Sequence, residues 1–188
     1  MTQYSGARFF GKIDTARASG RNPVLCPGLW LLRVERCTMA GTNEDTFVAE
    51  CTALACRDTK ADSMGNQPAK PGQLTSFLVG MTGKWPELAL GNIKAFARLL
   101  PGGAEVEKKS DANPNAGIFA AYMGRVVGDE QVGTGALLLC QAHEQPQKGD
   151  KSKSFTHKNW TAYDDEDPPQ WVKDEAKAGR LYTETAAE

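Results

Sequence analysis

The chain has 188 residues, enough for one domain with a sizeable core and too few for two ordinary ones. Apolar residues make up 40% and charged residues 24%, with a formal net charge of −1, so the composition is globular and excludes a disordered or fibrous protein. The sequence has no apolar run approaching the roughly 20 residues of a membrane helix and no signal-peptide core at the N-terminus, which predicts a cytoplasmic protein.

Strand patterns dominate the chain after a basic lead-in. Residues 1–27 contain four basic side chains and one acidic one, and we expect them to pack on or next to the main domain, with at most a short strand at Phe9–Ile13. Aromatic and β-branched runs bounded by turn formers then predict five strands, at Gly28–Cys37, Thr46–Ala55, Leu74–Met81, Gly133–His143 and Phe155–Tyr163. A loop rich in turn residues is predicted between the second and third strands, at Arg57–Gln73.

Helical spacing of apolar residues occurs between the third and fourth strands. It predicts a helix over Lys84–Leu100, which has Pro86 in its first turn and is stopped by the Pro-Gly-Gly sequence that follows. A polar connection is expected at Gly102–Asp111, followed by a second helix from Pro114 to about Val127.

The two ends of the last predicted strand differ in charge. A lysine-rich turn is predicted before it, at Gln145–Ser154. The segment from Tyr163 to Glu188 carries eight acidic and three basic side chains, while the rest of the chain carries 15 acidic and 19 basic ones. We therefore predict a flexible acidic tail at residues 164–188, in which Asp174–Leu181 is too short to persist as an isolated helix. Such asymmetry points to partners, although a tail that only aids solubility is the alternative.

The five cysteines are odd in number and include no CxxC pair. This pattern favours small buried thiols in a reducing compartment over a disulfide framework. Only Cys51 and Cys56 lie close together in the sequence, which disfavours a zinc site, and we expect no metal or other cofactor.

The sequence contains no recognisable catalytic motif. The two histidines, His143 and His157, lie on predicted strands, and neither HExxH nor a G-x-S-x-G elbow is present. The sequence around Gly83 and Lys84 resembles a phosphate-binding loop, but Leu78 stands where its first glycine is required, and Trp85 replaces the Ser or Thr. The carboxylates at 164–167 fit a solvated charge run better than a metal site. We therefore predict a protein that is not an enzyme.

The order of predicted elements is that of the OB-fold. Three strands, a helix and two further strands predict a mainly β fold with helices (α+β), a five-stranded Greek-key barrel over residues 28–163. The second helix would be an addition to this barrel. In OB-folds the ligand meets the strand 2–3 face and the loops between strands 1–2 and 4–5.

The hairpin between strands 4 and 5 combines cations with aromatic rings, the pattern that binds phosphates and stacks on bases. A solvated hairpin tip and aromatic side chains buried in the core are the alternatives. The predicted phosphate ligands are Lys148, Lys151, Lys153 and Lys158. The predicted stacking residues are Trp160 and Phe155, with Trp30 and Phe77 as further candidates, and Arg33, Arg36 and Lys84 would extend the groove.

The segments FFGKIDTA, PGLWLLRV, FVAE, PGQLTSF, LGNIKAFARLLPG and FTHKNWTAYDDED follow one another in this order. Over residues 9–167 the chain thereby resembles the OB-type single-stranded DNA-binding proteins of bacteriophages and prophages. The resemblance implies a protein that coats single-stranded DNA during phage replication or recombination in the host cytoplasm, without sequence preference. A homodimer is compatible with this expectation. Its acidic tail would recruit replication proteins or compete with DNA. Because the acidic run directly follows the strand that the lysine-rich turn precedes, we expect the two to lie within reach of each other and truncation after Tyr163 to tighten DNA binding at low salt.

A different class of function fits the same scaffold. A structural or interaction module, for instance in virion assembly, would need no nucleic acid, because one fold serves many ligands. It would form a stable oligomer, and replacing the hairpin lysines with alanine would leave it unaffected.

Overall fold

The computed structural model describes residues 23–82, 86–147 and 150–183, with side chains for all of these except residues 147 and 150–155. Most of the basic lead-in, including the strand predicted at Phe9–Ile13, lies outside the described residues, as do Lys84 and Lys148.

Five antiparallel strands form one sheet in the order β3-β2-β1-β4-β5. The strands are β1 (Gly28–Ala40), β2 (Thr46–Arg57), β3 (Leu74–Gly80), β4 (Leu137–Gln147) and β5 (Asp150–Ala162). The protein is therefore a mixed α+β fold. β3 and β5 are the two edges of the sheet, and within the described part of the chain no ladder joins them, so the predicted barrel is not closed.

The β4–β5 hairpin is longer than the sequence predicts. β4 continues to Gln147 and β5 begins at Asp150, so the turn predicted over Gln145–Ser154 is wrong and most of that segment is strand. Its lysines, serines and glutamines have no apolar alternation to indicate a strand. The ladder forms nevertheless, since it satisfies the main-chain N–H and C=O groups of both strands.

Four helices are present in the described part: α1 (Pro86–Ala97), α2 (Gly103–Ala112), α3 (Ile118–Val127) and α4 (Gln170–Lys177). The first three connect β3 to β4. The polar connection predicted at Gly102–Asp111 is in fact α2, a helix of strong helix formers whose Glu105 and Lys109 pair at 2.7 Å. The helix predicted from Pro114 is interrupted by Gly117, whose φ of 62° separates a 3-10 turn from α3.

An aromatic cluster fills the core between the inner face of the sheet and α1. The Phe96 ring from α1 lies 5.8 Å from the Phe47 ring, 5.4 Å from the Phe77 ring and 5.0 Å from the Trp160 ring. These rings come from β2, β3, β5 and α1, and their tilted and edge-to-face arrangements are the ones that aromatic pairs prefer. Phe96 thus ties α1 to both edge strands.

A second, smaller cluster lies on the opposite face of the sheet. Val172 of α4 is buried there against Leu31 of β1 and Ala55 of β2. The Tyr182 N–H donates to the Leu54 carbonyl at 2.7 Å, and Arg57 pairs with Asp174 at 3.4 Å. We expected a flexible tail from residue 164 onwards, whereas the structure packs α4 and the residues up to Tyr182 against the sheet and leaves the acidic run at 164–167 exposed.

The cysteines are free thiols, as the sequence predicts. Four are buried and Cys56 is half-buried. Burial raises the pKa of the Cys37 and Cys140 thiols to about 12 and that of Cys51 well above its ordinary value. Among the described helices, none has the length and apolar character needed to cross a membrane.

Candidate nucleic-acid interface

The β4–β5 hairpin projects beyond its neighbours in the sheet. The pairing of β4 with β1 reaches Gly28↔Ala142, whereas its pairing with β5 continues to Gln147↔Asp150. Residues 143–147 and 150–157 therefore form a two-stranded extension, the hairpin arm. A two-stranded ribbon that extends beyond its neighbouring strand is suited to reach along a ligand.

A bulge interrupts the end of the hairpin arm. The register passes from Pro146↔Ser154 directly to Gln147↔Asp150, so residues 151–153 have no partner residue on β4. Pro146 lacks an N–H, which fits a break in the ladder at this point. The predicted phosphate ligands Lys151 and Lys153 both lie in the bulge, a feature that is common beside functional sites.

The predicted stacking residues are placed differently. Trp30 is fully buried and donates its Nε1–H to the Cys26 carbonyl at 2.9 Å. Phe77 and Trp160 are 4% and 8% exposed, and the centres of their rings lie 5.0 Å apart within the aromatic cluster. None of these three rings offers a face to a base in this structure, because all three fill the core. Phe155, opposite Gln145 in the hairpin arm, is placed by its backbone alone.

The two predicted groove arginines are engaged with glutamates. Arg33 Nε lies 2.9 Å from Glu35, and Arg36 lies 3.1 Å from Glu50 across the β1–β2 pair. Thr52 also donates to Glu35, at 2.6 Å. This face of the sheet therefore has little net charge, and the arginines do not form the basic groove that the sequence suggested.

Lys158 points inward rather than to open solvent. Its Nζ lies 5.6 Å from the centre of the Phe77 ring and donates to the Thr156 carbonyl at 3.2 Å. Burial is the main cause that lowers the pKa of this ammonium group. Of the predicted phosphate ligands, Lys158 is thus separate from the lysines of the bulge and belongs to a different surface.

That surface is a cleft of about 290 Å³ between the two edge strands and α1, which we call the edge cleft. Its walls are β3 and β5, and α1 lies alongside. It is lined by Phe77, Leu78, Val79, Gly80, Ala89, Asn92, Ala95, Thr156, His157, Lys158 and Trp160.

The neighbouring part of the β3 edge is covered by the chain itself. Residues 23–25 run parallel to β3, with Ser76 accepting from Leu25 N–H at 3.1 Å and donating to the Pro23 carbonyl at 2.9 Å. The edge cleft occupies the portion of β3 beyond this short segment.

Sequence reasoning missed Asn92, Thr156 and His157 as lining residues of the edge cleft. They come from two elements that are far apart in the chain, and no local pattern joins them. The two histidines do meet: His143 and His157 are opposite each other in the β4–β5 ladder, with rings 5.1 Å apart.

The acidic run at residues 164–167 lies at the wrong end of β5 to meet the bulge. Ala162 pairs with Leu138, whereas the bulge is at the opposite end of this 13-residue strand. The pairing spans nine residue steps along β4, from Leu138 to Gln147, so at about 3.3 Å per residue the two ends are roughly 30 Å apart. The order of the segments along the chain suggested proximity, but the extended strand separates them.

The chain matches no family model, and neither a curated protein nor a solved structure shows significant similarity to it.

Proposed function

We propose that this chain is a sequence-nonspecific single-stranded DNA-binding protein that acts in DNA replication or recombination, as in the phage proteins it resembles. The observation that carries the proposal is the hairpin arm, with Lys151 and Lys153 in a bulge at its end. A projecting basic ribbon can follow a flexible phosphate backbone without reading base edges.

The sheet order supports an OB-type scaffold as the finer description of the fold. In the order β3-β2-β1-β4-β5, the three consecutive strands and the returning β4 beside β1 form a Greek-key arrangement. The OB-fold is a partly open Greek-key barrel, and its loop between strands 4 and 5 contacts oligonucleotides. The edges β3 and β5 approach each other, since Phe77 and Trp160 touch across the core.

Electrostatics favours the hairpin arm over the β1–β2 face as the binding surface. The arginines of that face are paired with glutamates, as described above, so they contribute little positive potential. The proposal therefore rests on Lys148, Lys151 and Lys153, with stacking by Phe155 as a further contribution.

The proposal predicts salt-dependent binding of oligo-dT. Each phosphate contact to a single strand contributes about −0.7 to the slope of log K against log salt concentration, so three lysines give a slope near −2. We expect this slope in a fluorescence anisotropy titration of labelled oligo-dT, and we expect Lys148→Ala/Lys151→Ala/Lys153→Ala to remove most of it. The matched control is Lys108→Ala/Lys109→Ala on α2, which should leave the slope unchanged.

An assembly module would give a different outcome in the same experiment. It would show no affinity for oligo-dT at low salt, and its oligomeric state would not respond to nucleic acid. Either the absence of binding or a binding constant indifferent to salt would refute the proposed function.

A further inference from the structure

The edge cleft is a gap in the sheet with unused main-chain groups on one wall. The N–H and C=O of Ser76 point away from β2, because they bond to Leu25 and Pro23. Main-chain groups alternate in direction along a strand, so those of Leu78 and Gly80 point the same way, into the edge cleft. An added Cβ at Gly80 would meet nothing within 4 Å, so this wall is open.

The lining of the edge cleft has one cation and no carboxylate. Within the described residues, no carboxylate oxygen lies within 4 Å of the Lys158 ammonium. Asp62 acts on the Lys158 ammonium from beyond pairing distance, and its carboxylate accepts hydrogen bonds from Asn66 and Met64. A half-buried ammonium with no carboxylate in contact leaves room for an anionic ligand, which would complement its charge.

Two further side chains that line the edge cleft have the hydrogen-bonding groups needed to bind a base. Asn92 on α1 offers both a donor and an acceptor, and Thr156 on β5 offers a hydroxyl. At about 290 Å³, the edge cleft is at the small end of the range for small-molecule sites, which suits one nucleotide rather than a longer segment.

A peptide strand is the other occupant that a sheet gap could take. Strand addition depends on a row of main-chain hydrogen bonds along a free edge. Here β3 offers only Leu78 and Gly80, because residues 23–25 cover the edge at Ser76. Two residues are fewer than an ordinary strand uses, so the length of the edge and the positive charge both favour a nucleotide.

We propose that the edge cleft binds a single nucleotide of the DNA strand, with Lys158 at its phosphate and Asn92 and the β3 edge at its base. This site rests on the proposed function and adds to it a second contact point, distinct from the bulge lysines. A strand that follows the hairpin arm would be anchored there.

The test is a titration of labelled oligo-dT with variants of the edge cleft. Lys158→Met keeps the apolar stem and removes the charge, and Gly80→Val fills the open wall. We expect each variant to weaken binding of oligo-dT about tenfold, because Lys158→Met loses a charged hydrogen bond and Gly80→Val occupies the space in which that bond would form. A phosphate contact by Lys158 would add about −0.7 to the slope near −2 that the three hairpin lysines give, and Lys158→Met should remove this added part. Lys108→Met, an exposed lysine on α2, is the matched control and should change affinity less than twofold.

The outcomes separate the two proposals. If the wild-type protein binds oligo-dT with the expected salt dependence but Lys158→Met and Gly80→Val bind as tightly, the nucleotide site is wrong and the proposed function stands. If the wild-type protein does not bind, both fail. Because Lys158→Met removes a desolvated charge, its thermal unfolding midpoint should be no lower than that of the wild type. Asn92→Ala, on the exposed side of α1, is a further variant that tests the contact proposed at the base.

Discussion

Raising the pH from 8 to 10 is expected to lower the free energy of unfolding by about 4 kcal/mol. The cause is three buried thiols, Cys37, Cys51 and Cys140, whose pKa values burial raises above the ordinary value of 9.0. In the unfolded chain these thiols ionise near pH 9, while in the folded protein they keep their protons. Stability is therefore complete below pH 9 and is lost as the pH rises towards 12, by roughly 1–2 kcal/mol per thiol at pH 10.

Other groups act in both directions. Burial also raises the pKa values of Cys26, Cys56 and Tyr122, which therefore act in the same direction as the three thiols. Lys158 acts in the opposite direction, because its lowered pKa lets the folded protein lose a proton first, but it is a single group. Against the roughly 5–15 kcal/mol that is typical of a folded domain, a loss of about 4 kcal/mol is a large fraction of the stability.

Urea unfolding at pH 8 and pH 10, in the presence of a reducing agent, measures this effect. Cys140→Ala and Cys37→Ala are the controls, and each should reduce the difference in the free energy of unfolding between the two pH values by roughly 1–2 kcal/mol. Equal stability at both pH values would mean that the thiols are not buried, contrary to the core described above.

Removing the C-terminal segment is expected to destabilise the domain rather than to tighten DNA binding. Truncation after Tyr163 uncovers Leu31 and Ala55, which are 3% and 0% exposed, and deletes the buried Val172. Loss of one buried valine and its neighbours corresponds to about 3 kcal/mol. The expectation drawn from the sequence treated this segment as a flexible competitor of DNA, and its packing on the sheet changes that prediction.

A point variant tests the packing without shortening the chain. Val172→Asp places a carboxylate in the second cluster and should cost about 3 kcal/mol in thermal or urea unfolding. Ala176→Asp, on the exposed side of the same helix, is the matched control and should change stability by less than about 0.5 kcal/mol. Equal stabilities of the two variants would show that α4 is not packed on the sheet.

The effect of the charge of the C-terminal segment on DNA binding can be tested separately from its packing on the sheet. Neutralising the acidic run, with Asp164→Asn, Asp165→Asn, Glu166→Gln and Asp167→Asn, leaves α4 in place. The strand end that leads to this run is roughly 30 Å from the bulge, several times the Debye length of about 8 Å at physiological salt. We therefore expect less than a twofold change in the affinity for oligo-dT.

The strands could be predicted because alternation and turn residues are local properties. Residues such as Trp30 and Phe47 mark β1 and β2 clearly. Alternation does not say which face becomes the core, however, and for this reason Trp30, Phe77 and Trp160 could not be assigned to the interior from the sequence. Their burial depends on α1, whose Phe96 completes the aromatic cluster.

The helix and the strand segments made mostly of polar residues could not be predicted from apolar periodicity, because they have few apolar residues. α2 has Val106 as its half-buried contact and is stabilised by ion pairs, including Lys94–Asp111 at 2.8 Å, which links it to α1. The segment around Lys151 became strand through its ladder with β4. The edge cleft needs β3, α1 and β5 to be folded together, so the sequence could indicate Lys158 as a cation but not the surface on which it lies.

The most direct measurement of the proposed function compares single-stranded and duplex DNA of the same length at one salt concentration. A narrow cleft for one nucleotide and a ribbon that follows a flexible backbone both require an unpaired strand. We expect oligo-dT to bind at least tenfold more tightly than the oligo-dT·oligo-dA duplex, in a competition monitored by fluorescence anisotropy. Equal or tighter binding of the duplex, or no binding of either, would contradict the account.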